Sequence, residues 1–191
     1  TEFTHVESDF VKLTGSAAGY LPLAPGFMWA LSGRVGNIFP FGDSYIPLYK
    51  RFYLGGTTTV RGFREDEILP ADDDRWPASS NLPLDQDGSG ALDPRQSLGG
   101  NFFLNMRSEL RIAMVGDLEL STFVDVGQLL EDVSQFEATG FAAGAGIGLR
   151  YNTPVGPFVV DLGWKVVDGR RRLPALQTLD RTNLHLSIGF F

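Results

Sequence analysis

The feature that most restricts what this chain can become is a two-residue alternation of apolar and charged side chains, sustained over segments of about ten residues. Over residues 102–114, Phe102, Leu104, Met106, Leu110, Ile112 and Met114 fall on one face of an extended strand, while Phe103, Asn105, Arg107, Glu109 and Arg111 fall on the other. Successive side chains of a strand point to opposite faces, so this spacing gives one apolar and one ionic surface; at helical spacing the two sets would mix. The split recurs over 118–126, where Leu118, Leu120, Val124 and Val126 oppose Glu119, Ser121 and Asp125. Over 158–166 it recurs again, with Phe158, Val160, Leu162, Trp164 and Val166 against Asp161, Gly163 and Lys165.

Four further segments complete a set of seven candidate strands. Residues 141–151 place Phe141, Ala143, Ala145, Ile147, Leu149 and Tyr151 opposite Gly144, Gly146, Gly148 and Arg150, and such glycines leave room inside a curved sheet. Residues 27–35 set Phe27, Trp29, Leu31 and Val35 against Ser32 and Arg34, and a weaker strand lies over 11–21. The last runs over 183–191, with Leu184, Leu186, Ile188 and Phe190 on its apolar face and His185 on its polar one. The connections differ in length. Residues 152–157, Asn-Thr-Pro-Val-Gly-Pro, make a tight turn, whereas 41–100 is a long, irregular, acidic loop. Short turns at one end and long loops at the other are the habit of an outer-membrane barrel.

Which face is wet decides between two architectures. A soluble sandwich or lipocalin-like barrel would bury the apolar face, and the abundance of Gly (23) and aromatics (15 Phe, 5 Tyr, 3 Trp) suits it as well as a membrane barrel. The charged residues Arg107, Glu109, Arg111, Asp125, Asp161 and Lys165 fit a wet lumen better than a dry core, which favours the antiparallel transmembrane β-barrel. No run of 18 apolar residues supplies a membrane-crossing helix, and that leaves a barrel open. With no Cys there is neither a disulfide framework nor a thiolate metal site, and the compartment stays undecided on that ground. A net charge of −7 without a Lys/Arg stripe argues against nucleic acid as a partner; Arg170 to Arg172 and Asp72 to Asp74 read as solvated loop residues. The start, Thr1-Glu2-Phe3, shows no export signal, so a signal is expected to have been removed or to lie upstream.

Within the long loop stands Tyr49-Lys50-Arg51-Phe52-Tyr53-Leu54-Gly55-Gly56-Thr57-Thr58-Thr59-Val60-Arg61-Gly62-Phe63. It resembles the signature loop of BamA-type outer-membrane protein assembly factors and of their superfamily relatives, the translocation-module barrel and the two-partner secretion transporters. The heart of the resemblance is Val60, Arg61, Gly62 and Phe63. In matching order follow Gly99-Gly100-Asn101, Ser108-Glu109-Leu110, Phe123-Val124-Asp125-Val126-Gly127 and a last strand ending in Phe, so the likeness covers about 11–191.

The resemblance implies that the loop folds back into the barrel and that Arg61 pairs with the lumen-facing acids Glu109 and Asp125. The alternation independently puts both acids on the polar face, although without the family they would read as ordinary solvated charges. A guanidinium offers fixed donors to two carboxylates where a Lys cannot, and Gly62 would permit the close turn beside it. The resemblance further implies a bacterial outer-membrane location and a barrel of about sixteen strands. On that view residues 1–191 are one partial barrel domain, the C-terminal portion, carrying the 41–100 loop, with periplasmic polypeptide-transport-associated domains upstream. The expected function is insertion and folding of unfolded β-barrel clients by lateral strand addition in the lipid bilayer, with accessory lipoproteins as possible partners and the last strand as one lip of a seam. A lone fragment would self-associate through its open strand edges. The alternatives are a two-partner secretion or translocation-module transporter, or a passive outer-membrane barrel.

Two lesser patterns complete the reading. Leu184, Leu186, Ile188, Phe190 and Phe191 look like the C-terminal signal of barrel precursors, with Phe191 one residue out of phase. Asp85, Asp87, Ser89 and Asp93 follow the spacing of a calcium loop, but Gln96 stands where a bidentate Glu belongs and no flanking helices are predicted, so a hydrated acidic loop is the plainer reading. No cofactor is expected, and with no G-x-S-x-G, H-E-x-x-H or phosphate-binding glycine loop, catalysis is not expected either.

Overall fold

Each alternating segment becomes a strand in the computed structural model, which describes residues 8–42, 44–71, 97–154, 156–168 and 181–188. The strands are β1 (Phe10–Ala24), β2 (Phe27–Pro40), β3 (Phe102–Ala113), β4 (Leu118–Leu130), β5 (Ala142–Thr153), β6 (Gly156–Val167) and β7 (Thr182–Ile188). They form one antiparallel sheet in sequence order, and among the described residues β1 and β7 each pair on one side only, so the sheet is open. The fold is all-β. Phe190 and Phe191, the would-be calcium ligands Asp85, Asp87, Ser89 and Asp93 with Gln96, and the runs at 72–74 and 170–172 lie outside the described residues.

At one end of the sheet only short intervals separate successive strands (β1 from β2, β3 from β4, β5 from β6), and at the other end the intervals are longer (β2 from β3, β4 from β5, β6 from β7). The outward face is a continuous apolar surface that includes Leu31, Met106, Val124, Ile147, Leu149, Trp164, Leu184 and Leu186, all exposed. On β3 the two faces differ sharply: Met106, outward, is 58% exposed, while its inward neighbour Asn105 is at 1%. Water does not accept a sheet with that outer face, and a hydrocarbon layer does.

The inner face carries the second half of the fold. Phe52, Leu54, Val60, Phe63 and Ile68 from the long loop pack with Ile46 onto Ile38, Phe103, Leu129 and Ala142 of the wall, so the apolar core lies between loop and sheet at the long-loop end. The interior beneath the loop is therefore dry, not the wet lumen that alternation alone suggests. The same end explains why β4 breaks its pattern at Gln128-Leu129-Leu130, which are all buried. The segment after β4 folds over this stretch, with Gln128 Nε2 donating to the Glu137 carbonyl, while the Leu129 carbonyl accepts from Ala71 on the other side.

Candidate functional site

Strand register lays the inward side chains of β3 to β7 out in three rows. Arg107, Asp125 and Gly144 are successive neighbours, as are Glu109, Phe123, Gly146, Gly163 and Asn183, and below them Ser121, Gly148, Asp161 and His185 follow Arg111. The tip of the long loop lies across these rows. Its own fold is preset by short-range bonds: the Gly55 amide donates to Thr59 Oγ1, the Gly56 amide to the Phe63 carbonyl and the Thr57 amide to Glu65 Oε1. Val60 and Phe63 are fully buried in the core, which forces Arg61 between them toward the wall.

There every nitrogen of Arg61 donates to acids of three strands. Its backbone N–H and Nε both donate to Asp125 Oδ2, at 3.0 and 2.7 Å, and Nη2 donates to Asp125 Oδ1 at 2.9 Å. Nη1 reaches Glu109 Oε2 at 2.7 Å and Asp161 Oδ2 at 3.0 Å. The flat face of the guanidinium lies 3.5 Å from the centre of the Phe123 ring. Burial works against this charge, but Asp125, Glu109 and Asp161 outweigh it and hold the Arg61 pKa above its ordinary value. The acids are shared in turn: Arg150 Nη2 donates to Glu109 Oε2 at 2.6 Å, Arg111 Nε to Glu109 Oε1 at 2.7 Å, and Arg107 Nε lies 3.5 Å from Asp125 Oδ1. Away from the tip, Lys165 of β6 pairs with Glu67 of the loop. A planar five-donor fork suits such a cluster, and losing one member would strand buried charge.

The glycines of β5 and β6 make this approach possible. A Cβ on Gly144 would collide with the Arg61 carbonyl oxygen, one on Gly148 with Asp161 Oδ1, and one on Gly163 with the Gly62 amide. Gly62 itself adopts φ 100°, and a Cβ there would sit 2.8 Å from the Trp164 carbonyl carbon, so the position requires glycine on two counts.

The structure thus brings together Val60, Arg61, Gly62, Phe63, Glu109 and Asp125. Leu184, Leu186 and Ile188 point outward from β7, away from this site. The third acid on Arg61, Asp161, the stack of Arg61 on Phe123 and the role of Arg150 are not foreseeable from the sequence. Asp161 and Arg150 were visible as isolated charges on the polar face; nothing in the sequence said which would meet the loop. Among the described residues there is no group of three or more His, Cys, Asp or Glu side chains that could hold a metal.

A sheet with an apolar outer face, alternating turn lengths and an arginine-bearing loop pinned inside defines a segment of an outer-membrane β-barrel. Residues 1–191 match the Omp85 superfamily domain, and the chain belongs to that superfamily. It is 24% identical over 165 residues to the outer membrane protein assembly factor BamA of Nitratidesulfovibrio vulgaris, covering 86% of this chain and 19% of that protein. It is 28% identical to BamA of Neorickettsia risticii over 145 residues, covering 72% of this chain and 17% of the relative. A SAM50-like protein of Schizosaccharomyces pombe is 26% identical over 141 residues, 68% of this chain and 25% of its own length. The chain therefore spans a quarter or less of these relatives. In fold it is similar to the crystal structure of BamA from Haemophilus ducreyi lacking POTRA domains 1-3, with TM-score 0.65 at 18% identity, covering 97% of this chain and 35% of that one. The seven strands are thus a BamA-type barrel segment, and their place is the bacterial outer membrane.

Proposed function

We propose that this chain is one partial barrel domain of an outer-membrane protein assembly factor that inserts and folds β-barrel clients by lateral strand addition. The observation that carries the reading is the seating of Arg61 on Asp125, Glu109 and Asp161 within an Omp85 barrel wall whose outermost strand, β7, has a free edge among the described residues. In lipid an unpaired strand edge leaves backbone groups unsatisfied at several kcal/mol each, so an incoming client strand gains strongly by pairing there. No bond is made or broken in such a step; the wall supplies a template and the loop holds its shape. Unfolded β-barrel proteins would be the clients, the lipid bilayer the medium and accessory lipoproteins possible helpers. The names of the BamA relatives support this reading over a secretion transporter.

The test uses the full-length protein in proteoliposomes, supplied with a urea-unfolded barrel client whose folded form resists heat in gel electrophoresis. Arg61→Ala should slow client folding at least tenfold while the barrel stays in the membrane. Undiminished client folding would favour a passive barrel, and export of a soluble partner without any client folding would favour the transporter. The isolated chain, with two open edges, should form dimers or larger species through β1 and β7.

A further inference from the structure

The contacts of the loop tip with β7 go beyond the arginine cluster. Asn183 Nδ2 donates to the Gly62 carbonyl, the Gly62 amide donates to His185 Nε2 at 3.4 Å, and His185 Nδ1 lies 3.2 Å from Thr57 Oγ1. Asn183 and His185 share the inward face of β7, opposite Gly163 and Asp161 of β6. Gly163 has no side chain to keep the loop backbone away, so the Gly62 peptide reaches past β6 to the last described strand. Among the described residues β7 pairs in the sheet with β6 alone.

From this geometry we propose that His185, with Asn183, is a latch fixing the motif loop to edge strand β7, and that it requires the neutral ring with its proton on Nδ1. The direction is set by the backbone. A peptide N–H can only donate, so His185 Nε2 must be the acceptor, and the ring proton must then sit on Nδ1, where it donates to Thr57 Oγ1. This is the reverse of the tautomer a neutral imidazole favours in water. A second proton would set an N–H of the ring against the N–H of Gly62 and open the latch on that side, while Asn183 would keep its bond. The charged groups facing the ring are Asp161 from β6, Asp125 from β4, and Arg61 and Glu65 from the loop. Loop position and the attachment of the outermost described strand are thereby coupled through these two side chains, with His185 as the pH-sensitive one, whatever the barrel does with its edge.

The decisive experiment is solid-state NMR of the full-length protein in bilayers with 15N-labelled histidine, the His185 signals being assigned through Leu184 and Leu186. The expected result at pH 8 is the Nδ1–H tautomer, with conversion to the imidazolium at lower pH accompanied by faster hydrogen exchange at Gly62. His185→Phe, which keeps the volume and loses both ring nitrogens, should raise Gly62 exchange about tenfold, the size of one hydrogen bond. His185→Gln, which retains a donor and an acceptor, should restore most of the protection. An Nε2–H tautomer in the native protein, or Gly62 protection unchanged in His185→Phe, overturns the latch. Should either variant fail to assemble, the tautomer of the native ring decides the matter alone.

Discussion

β1 and β5 obey the same alternation and lie in the same sheet, yet their inner faces have opposite fates. Every residue of β1 after Phe10 is exposed, whereas the inward positions Ala142, Gly144, Gly146, Gly148 and Arg150 of β5 are all buried. The difference comes from what lies on top. Among the described residues the loop tip covers β3 to β7 and stops short of most of β1, where Thr14, Ser16 and Ala18 face inward and stay exposed. Period-two patterning thus tells which side of a strand is inside the barrel but not whether that side is wet. Dryness is imposed by a distant segment, and the residues that must adapt to it are glycines and paired charges.

Stripping the cover should make the β5 side behave like β1, and the largest effect is expected from Arg61→Ala. Removing one partner of a buried ion cluster costs about 3–5 kcal/mol, here because Asp125 would lose its principal cation and Glu109 one of its three. Hydrogen exchange of residues 55–63 should then approach that of an unstructured loop, while the strands remain protected. Leu162→Arg puts a charge on the lipid side of β6 and should cost about 2–4 kcal/mol near the bilayer midplane, read as a fall in the urea midpoint of the barrel. Exchange within the loop should change less than the midpoint does.

Glycine substitutions sharpen the contrast at smaller scale. Gly144→Ala meets the Arg61 carbonyl oxygen and should destabilise loop seating by about 1–3 kcal/mol, the usual range for overpacking, seen as loop exchange without loss of strands. Gly33→Ala, in β2, meets nothing within 4 Å and should change the urea midpoint by less than about 1 kcal/mol, with loop exchange unaltered. Equal effects from the two substitutions would mean that the loop does not press on the β5 wall.

Much of the architecture could be read from the chain because a membrane barrel imposes its period on every strand. All seven segments and their outward faces follow from residues such as Met106, Val124 and Leu162. The ends did not follow. β2 runs on to Pro40, well beyond Val35, because Gly36 and Ile38 are buried beneath the loop, and β4 runs through Leu130, where cover on both sides erases alternation. Arg61, Glu109 and Asp125 came as a group from family resemblance; alternation alone could place the two acids on the inner face but could not join them to a residue 48 and 64 positions earlier. Asp161 and His185 escaped for the same reason, since which polar residue meets a loop depends on inter-strand register, and register follows only once the sheet is assembled. The β5 glycines leave room inside the sheet, as their alternation suggests, and what fills that room is Arg61, Phe123 and Asp161.

The claim underlying all of this is that one face of these strands meets lipid while the other is sealed by the arginine loop. Nitroxide labels placed one at a time from Ser121 to Val126 in the full-length protein, in bilayers, test it directly, since this chain has no cysteine of its own. High collision with oxygen and low collision with an aqueous nickel complex are expected at Thr122, Val124 and Val126, and low collision with both at Ser121 and Phe123. Nickel access at Val124, or no two-residue period along the strand, would contradict that claim.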